Sequence, residues 1–124
     1  AFPAILIMKN KEGWADMVYS ISEIQARIAP GAQKYGLKAV YLFGSYARNE
    51  ATEHSDVDLL VDTTGTALKS LFALGALYCD LEDALQKKID LITVSSLEQP
   101  VQMPHEEDFR KAVWREKVQL YAVA

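Results

Sequence analysis

The residues whose types and spacing could do chemistry sit close together in this chain: Gly44 and Ser45, then ten residues, then Asp56-Val57-Asp58. Further on, a lone acid, Asp90, interrupts the apolar run Ile89-Asp90-Leu91-Ile92. Side chains alternate along a strand, so Asp56 and Asp58 should share one surface while Val57 and Leu59 turn into the core. By the same alternation Ile89 and Leu91 should be buried and Asp90 should face the other way, joining the first two acids if the strands are neighbours. Strands disfavour Asp, so packing alone does not account for this one. Three like charges within a few ångströms raise one another's pKa and destabilise a fold unless something neutralises them, and magnesium is the economical answer.

A hard divalent cation takes oxygen ligands and is usually held by one or two carboxylates together with substrate phosphates. Two such ions about 3.5 to 4 Å apart can activate an attacking hydroxyl and stabilise a leaving pyrophosphate. Gly44 lets backbone approach a phosphate closely, and Ser45 is expected to cap a short helix running through Glu50, whose first N–H groups attract anions. Arg48, one turn on, could add a charge-assisted bond to a triphosphate. Singly, these features have plainer readings as a turn, a solvated strand end and a surface arginine. In this order, on elements that can meet, they point to phosphoryl chemistry on a nucleotide.

The elements that must position these residues follow from periodicity. Trp14, Met17, Val18, Ile21, Ile24 and Ile28 recur at helical steps, predicting a helix over 14–29 that Pro30-Gly31 ends. Lys38 to Phe43 reads as a strand stopping at Gly44, Val57 to Val61 as a second strand closed by Thr63-Thr64-Gly65, and Lys88 to Val94 as a third. Between the last two, Leu68 to Leu85 hold helical period, predicting a helix over 66–88 capped by Thr66. A connector with Pro100 and Pro104 leads to a last predicted helix, 106–122, with Phe109, Val113, Trp114, Val118 and Tyr121 on its apolar side. Trp114 and Tyr121 make that side a candidate docking face. The order predicts one small α/β domain spanning 1–124, with a mixed sheet of three to four strands flanked by helices.

The net charge of −4 would repel a nucleic-acid backbone, so direct nucleic-acid binding is not expected. The lone Cys79 excludes an intrachain disulfide, fits a reducing, cytoplasmic setting, and reads as a small buried hydrophobe. Residues 1–8 are apolar but far short of the roughly 20 residues of a membrane span. Met8 is the expected natural start, with residues 1–7 an added tail. His54 and His105 have no second His or Cys at ligand spacing, so zinc is not expected. Asp62 reads as a turn residue and Glu106-Glu107-Asp108 as the acidic first turn of a helix.

The phrases Leu-Phe-Gly-Ser-Tyr-Ala-Arg, Ser-Asp-Val-Asp-Leu-Leu-Val and Lys-Ile-Asp-Leu-Ile-Thr together resemble the DNA polymerase beta-like nucleotidyltransferase superfamily. More narrowly the chain is similar, over about residues 38–121, to the minimal nucleotidyltransferase (MNT) domains that accompany HEPT-domain proteins in prokaryotic toxin–antitoxin pairs. That resemblance implies a polymerase beta-like palm fold and two magnesium ions on Asp56 and Asp58. Asp90 would join the catalytic ion and accept the proton of the attacking hydroxyl. Gly44 and Ser45, with help from Arg48, would hold the terminal phosphates of ATP. It further implies transfer of AMP to a tyrosine hydroxyl of a HEPT toxin, and a hetero-oligomer with that toxin. The alternatives are an antitoxin acting by contact alone and nucleotidyl transfer to a small molecule.

Overall fold

A computed structural model describes residues 18–123. The expected tail, the start at Met8 and the first turn of the predicted 14–29 helix lie outside the described residues. The elements are α1 (Ile21–Lys34), β1 (Ala39–Phe43), α2 (Gly44–Ala47), β2 (Val57–Asp62), α3 (Leu71–Leu85), β3 (Ile89–Thr93), α4 (Val94–Leu97), α5 (Pro104–Glu116) and β4 (Val118–Ala122). The strands form one mixed sheet in the order β3-β2-β1-β4. β1 is antiparallel to both β2 and β4, whereas β2 and β3 run parallel and are joined by the α3 crossover.

α1 starts where a capping box forms: Ser20 Oγ accepts the Glu23 N–H at 3.1 Å, and Glu23 Oε1 accepts the Ser20 N–H at 2.9 Å. The helix passes through Pro30-Gly31 instead of ending there. Ile24, Ile28 and Ala32 occupy successive turns of one fully buried stripe, and that burial outweighs the hydrogen bond Pro30 cannot make. Gly31 fits because α3 lies so near that a Cβ there would stand 3.1 Å from Leu81 Cδ2. α3 starts later than the spacing predicts: Ser70 Oγ accepts the Ala73 N–H at 3.0 Å and caps it. Thr66 instead donates to the Thr63 carbonyl at 2.7 Å and holds the preceding turn. Leu71 and Phe72 stay outside the core, and Cys79 is exposed rather than buried.

The predicted 106–122 helix divides in two. α5 ends at Glu116 because Lys117 takes an extended ψ of 138°, and Val118 to Ala122 then add a fourth strand beside β1. Trp114 and Tyr121 therefore belong to different elements and form no common helical face. The sheet buries both sides unequally. On one side α1 and α3 cover Val40, Leu42, Val57, Leu59 and Val61, while the other carries a small cluster of Phe43, Leu60 and Val113 under α4 and α5.

Candidate active site

Phe43 ends β1, and the chain turns at once into α2 through Gly44 at φ +73°. That φ favours glycine, and space requires it as well, since a Cβ on Gly44 would lie 2.0 Å from Asp58 Oδ2. Ser45 sits inside α2 and does not cap it; the cap position belongs to Phe43, which makes no side-chain cap bond. A helix of four residues carries little macrodipole, so the positive charge beside this turn is that of Arg48. Arg48, just past α2, donates to Glu50 Oε1 at 2.8 Å and to Glu116 Oε2 of α5 at 2.9 Å.

The register sets the acids. Asp58 of β2 pairs across the parallel ladder with Asp90 of β3 and across the antiparallel one with Phe43 of β1. Val57 and Leu59 are fully buried on the α1/α3 side, which leaves Asp58 on the α5 side as alternation requires. Asp58 is half-buried and its carboxyl is pushed up from 3.8 to about 7. Burial is the main cause, followed by the hydrogen bond and negative charge of Asp90 and the charge of Asp56, with Arg48 opposing. Asp56 is exposed at the end of a loop tied down from two sides. Lys87 Nζ donates to the Glu53 carbonyl at 3.1 Å, and Ser55 Oγ accepts the Thr52 N–H at 2.9 Å.

A cleft of about 520 Å³ gathers Gly44, Ser45, Arg48, Asp58 and Asp90. All the predicted site residues except Asp56 line it, and Asp56 bears on it only through its charge on Asp58. Its far wall was not foreseen: Phe109, Ala112, Val113 and Glu116, one stripe of α5. The 109, 112/113, 116 spacing of one helix face was the available signal. Phe109 packs edge-on against Phe43 with ring centroids 6.2 Å apart. His54 is a surface residue beside Glu53, 3.4 Å away, and Asp62 Oδ1 accepts the Thr64 N–H at 3.0 Å as a turn residue.

The donor set fits a hard divalent cation. Two adjacent carboxylates, one held near neutral protonation, need either a proton or a cation between them. Among the described residues no three His, Cys, Asp or Glu side chains close around one point, so the protein alone builds no cage.

The nucleotidyltransferase domain model matches residues 31–121, most of the chain. This chain belongs to that family. A Methanocaldococcus jannaschii protein with the provisional name of protein adenylyltransferase is 45% identical over 78 residues, covering 63% of this chain and 82% of that one. The protein adenylyltransferase MntA of Thermococcus cleftensis is 42% identical over 65 residues, covering 52% of this chain and 64% of that one. A toxin–antitoxin complex crystallised with AMP-PNP contains a chain that superposes with TM-score 0.61 at 24% identity, covering 80% of this chain and 73% of that one. A chain from the Shewanella oneidensis complex of a tri-AMPylated HEPN toxin with its MNT antitoxin superposes with TM-score 0.55 at 22% identity, covering 81% and 71%. At these identities the superpositions speak for the fold. The mixed four-stranded sheet of this nucleotidyltransferase domain is the family architecture, and no helix among the described residues is long and apolar enough to cross a membrane.

Proposed function

We propose that this chain, acting as a single domain, is a magnesium-dependent protein adenylyltransferase. It moves AMP from ATP to a tyrosine hydroxyl of a HEPN-type toxin, the HEPT class of the sequence resemblance, and is that toxin's antitoxin in a cytoplasmic hetero-oligomer. The observation that carries this reading is the Asp58–Asp90 pair, adjacent across parallel strands and opening on the same cleft as Gly44 and Ser45. The names of the relatives support the reaction, and the AMP-PNP and AMPylated toxin in the structurally similar complexes support the nucleotide and the partner.

In this reading the Gly44 and Ser45 backbone holds the terminal phosphates, and Arg48 reaches them by giving up its bond to Glu116. Asp56, Asp58 and Asp90 would hold Mg²⁺, which when bound supplies the positive charge that lowers the pKa of the attacking hydroxyl and stabilises the leaving pyrophosphate. The tyrosine oxygen forms a bond to the α-phosphorus while the bond from that phosphorus to the bridging oxygen of the β-phosphate breaks, and pyrophosphate leaves. Asp90, on the open side of the pair, takes the phenolic proton. Phe109 and Phe43 exclude water from the cleft floor.

The test combines purified chain, Mg²⁺, ATP labelled in its α-phosphate and a HEPN-type toxin from the same organism. Labelled toxin is expected with the wild type and none with Asp56→Ala/Asp58→Ala. A double variant that still protects cells from the toxin would overturn catalysis in favour of inhibition by contact.

A further inference from the structure

The sheet places two of the three acids and leaves the third to other means. Asp58 and Asp90 face each other across the β2–β3 ladder, so register alone fixes them. β2 begins at Val57, whose N–H donates to the Lys88 carbonyl at 3.0 Å, and Asp56 lies one residue before that bond. An exposed carboxylate on a loop end is free to swing, whereas a metal ligand has to be held in one geometry.

A turn closes just ahead of Asp56. The Ser55 N–H donates to the Thr52 carbonyl at 3.0 Å, Ser55 Oγ accepts the Thr52 N–H at 2.9 Å, and Thr52 Oγ1 accepts the His54 N–H at 3.2 Å. These bonds are internal to residues 52–55, so they fix the shape of the turn and not its place on the sheet. Lys87 supplies the place. Of the Lys87-Lys88 pair that leads into β3, Lys88 is exposed, whereas Lys87 keeps 2% of its surface in water. Lysine is almost never buried this far unless its ammonium is paired. Here Nζ donates to the Glu53 carbonyl at 3.1 Å, in the middle of the turn and 34 residues back along the chain. A residue just ahead of the strand that carries Asp90 therefore grips the loop that carries Asp56.

We propose that Lys87 is a positioning residue for the metal site: its buried ammonium pins turn 52–55 to the start of β3 and so holds the Asp56 carboxylate beside Asp58. The inference rests on the adenylyl-transfer reading, which makes Asp56 a metal ligand, and adds what aims that ligand. The test is Lys87→Met, which keeps the buried stem and removes the donor, with Mn²⁺ and AMP-PNP as the probe and the bound ion read by electron paramagnetic resonance. A group that orients a metal ligand carries about 10- to 100-fold of the metal affinity. Lys87→Met is expected to weaken Mn²⁺ binding by that factor and to speed amide exchange at residues 53–56 in the metal-free protein, while the amides of β2 and β3 stay protected. In an Asp56→Asn background the same change is expected to weaken Mn²⁺ binding no further. Ser55→Ala loosens the turn without disturbing a buried charge and is expected to weaken Mn²⁺ binding as well, so the role of the turn is tested even where Lys87→Met lowers the melting temperature. Wild-type Mn²⁺ affinity in either variant, or a loss as large in the Asp56→Asn background as in the wild type, would overturn the positioning role and leave the reaction standing. Mn²⁺ affinity unmoved by Asp56→Asn itself would overturn the metal site of that reading.

Discussion

At the scale of single residues, Gly44 and Asp58 constrain each other. The backbone at Gly44 needs a positive φ, and its missing Cβ is the space that the Asp58 carboxylate fills. Gly44→Ala meets both objections, so the carboxylate has to move. A displacement of about 1 Å costs on the order of 100-fold in rate, and the left-handed conformation costs about 1–2 kcal/mol in stability. Initial rates and thermal melts on the same preparation check both effects; unchanged kinetics would show that the carboxylate can yield without cost. Asp58 also makes stability depend on pH. Its folded pKa of about 7 lies above its ordinary 3.8, so between those values the folded chain binds a proton that the unfolded chain has released. The contribution is fully present below pH 3.8, falls as pH rises, and is gone above about 7. Melts of the metal-free protein should therefore decline from pH 4 to 7, and Asp58→Asn should flatten that decline and melt higher at pH 8. Added Mg²⁺ should raise the wild-type melting temperature more at pH 8 than at pH 5 and leave Asp58→Asn nearly unmoved.

At the scale of elements, β4 shows how a short amphipathic segment can satisfy two periods at once. Val113, Trp114, Val118 and Tyr121 fall at helical steps, yet Val118 to Ala122 also alternate. The unpaired edge of β1 decides between the two, because a strand there satisfies a row of backbone N–H and C=O groups. Leu120, buried in the main core, is the anchor of that choice, whereas Trp114 keeps 47% of its surface in water under the Lys117 ammonium. Leu120→Ala should therefore cost about 2–5 kcal/mol and Trp114→Ala under about 1 kcal/mol by urea titration; the reverse ranking would mean that the helix continues. The same logic separates what was legible in the sequence from what was not. β1, β2 and β3 were readable because each is an apolar run closed by a turn residue, and Asp58 and Asp90 because strand alternation alone fixes their side. Asp56 shares that face by period, although its place on a loop end leaves it outside the cleft wall. The bounds of α1 and α3 were not readable, because Pro30-Gly31 is overruled by packing on Leu81, and Ser70 rather than Thr66 meets a free N–H. The α5 wall of the cleft was missed because Glu116 has no meaning until Arg48 is placed opposite it.

At the scale of the whole molecule, the two faces of the sheet are unequal in a way that matters for binding. The α1/α3 face holds the large core, in which Ile24, Ile28, Leu77, Leu81 and Leu85 are fully buried. The opposite face rests on Phe43, Leu60 and Val113, and α5 meets the end of β1 through the Phe43–Phe109 edge contact and the residue just past α2 through the Arg48–Glu116 pair. Ion pairs with partners this exposed contribute about 0–1 kcal/mol, so α5 is held chiefly by Val113 and by Arg110, whose guanidinium donates to the carbonyls of Leu97 and Gln99. Local opening free energies follow buried apolar contact, which makes α5 the cover that loosens first, directly over the acids. Amide hydrogen exchange should show residues 109–116 exchanging much faster than the 77–85 stretch of α3 in the nucleotide-free protein. AMP-PNP with Mg²⁺ should slow residues 109–116 at least tenfold and leave α3 nearly unchanged, since a nucleotide seated as proposed would bridge Gly44, Ser45 and the wall built by α5. Exchange in α5 as slow as in β2 without nucleotide would mean that the thin side of the sheet is as cooperative as the thick one, and that the cleft is preformed rather than closed by its substrate.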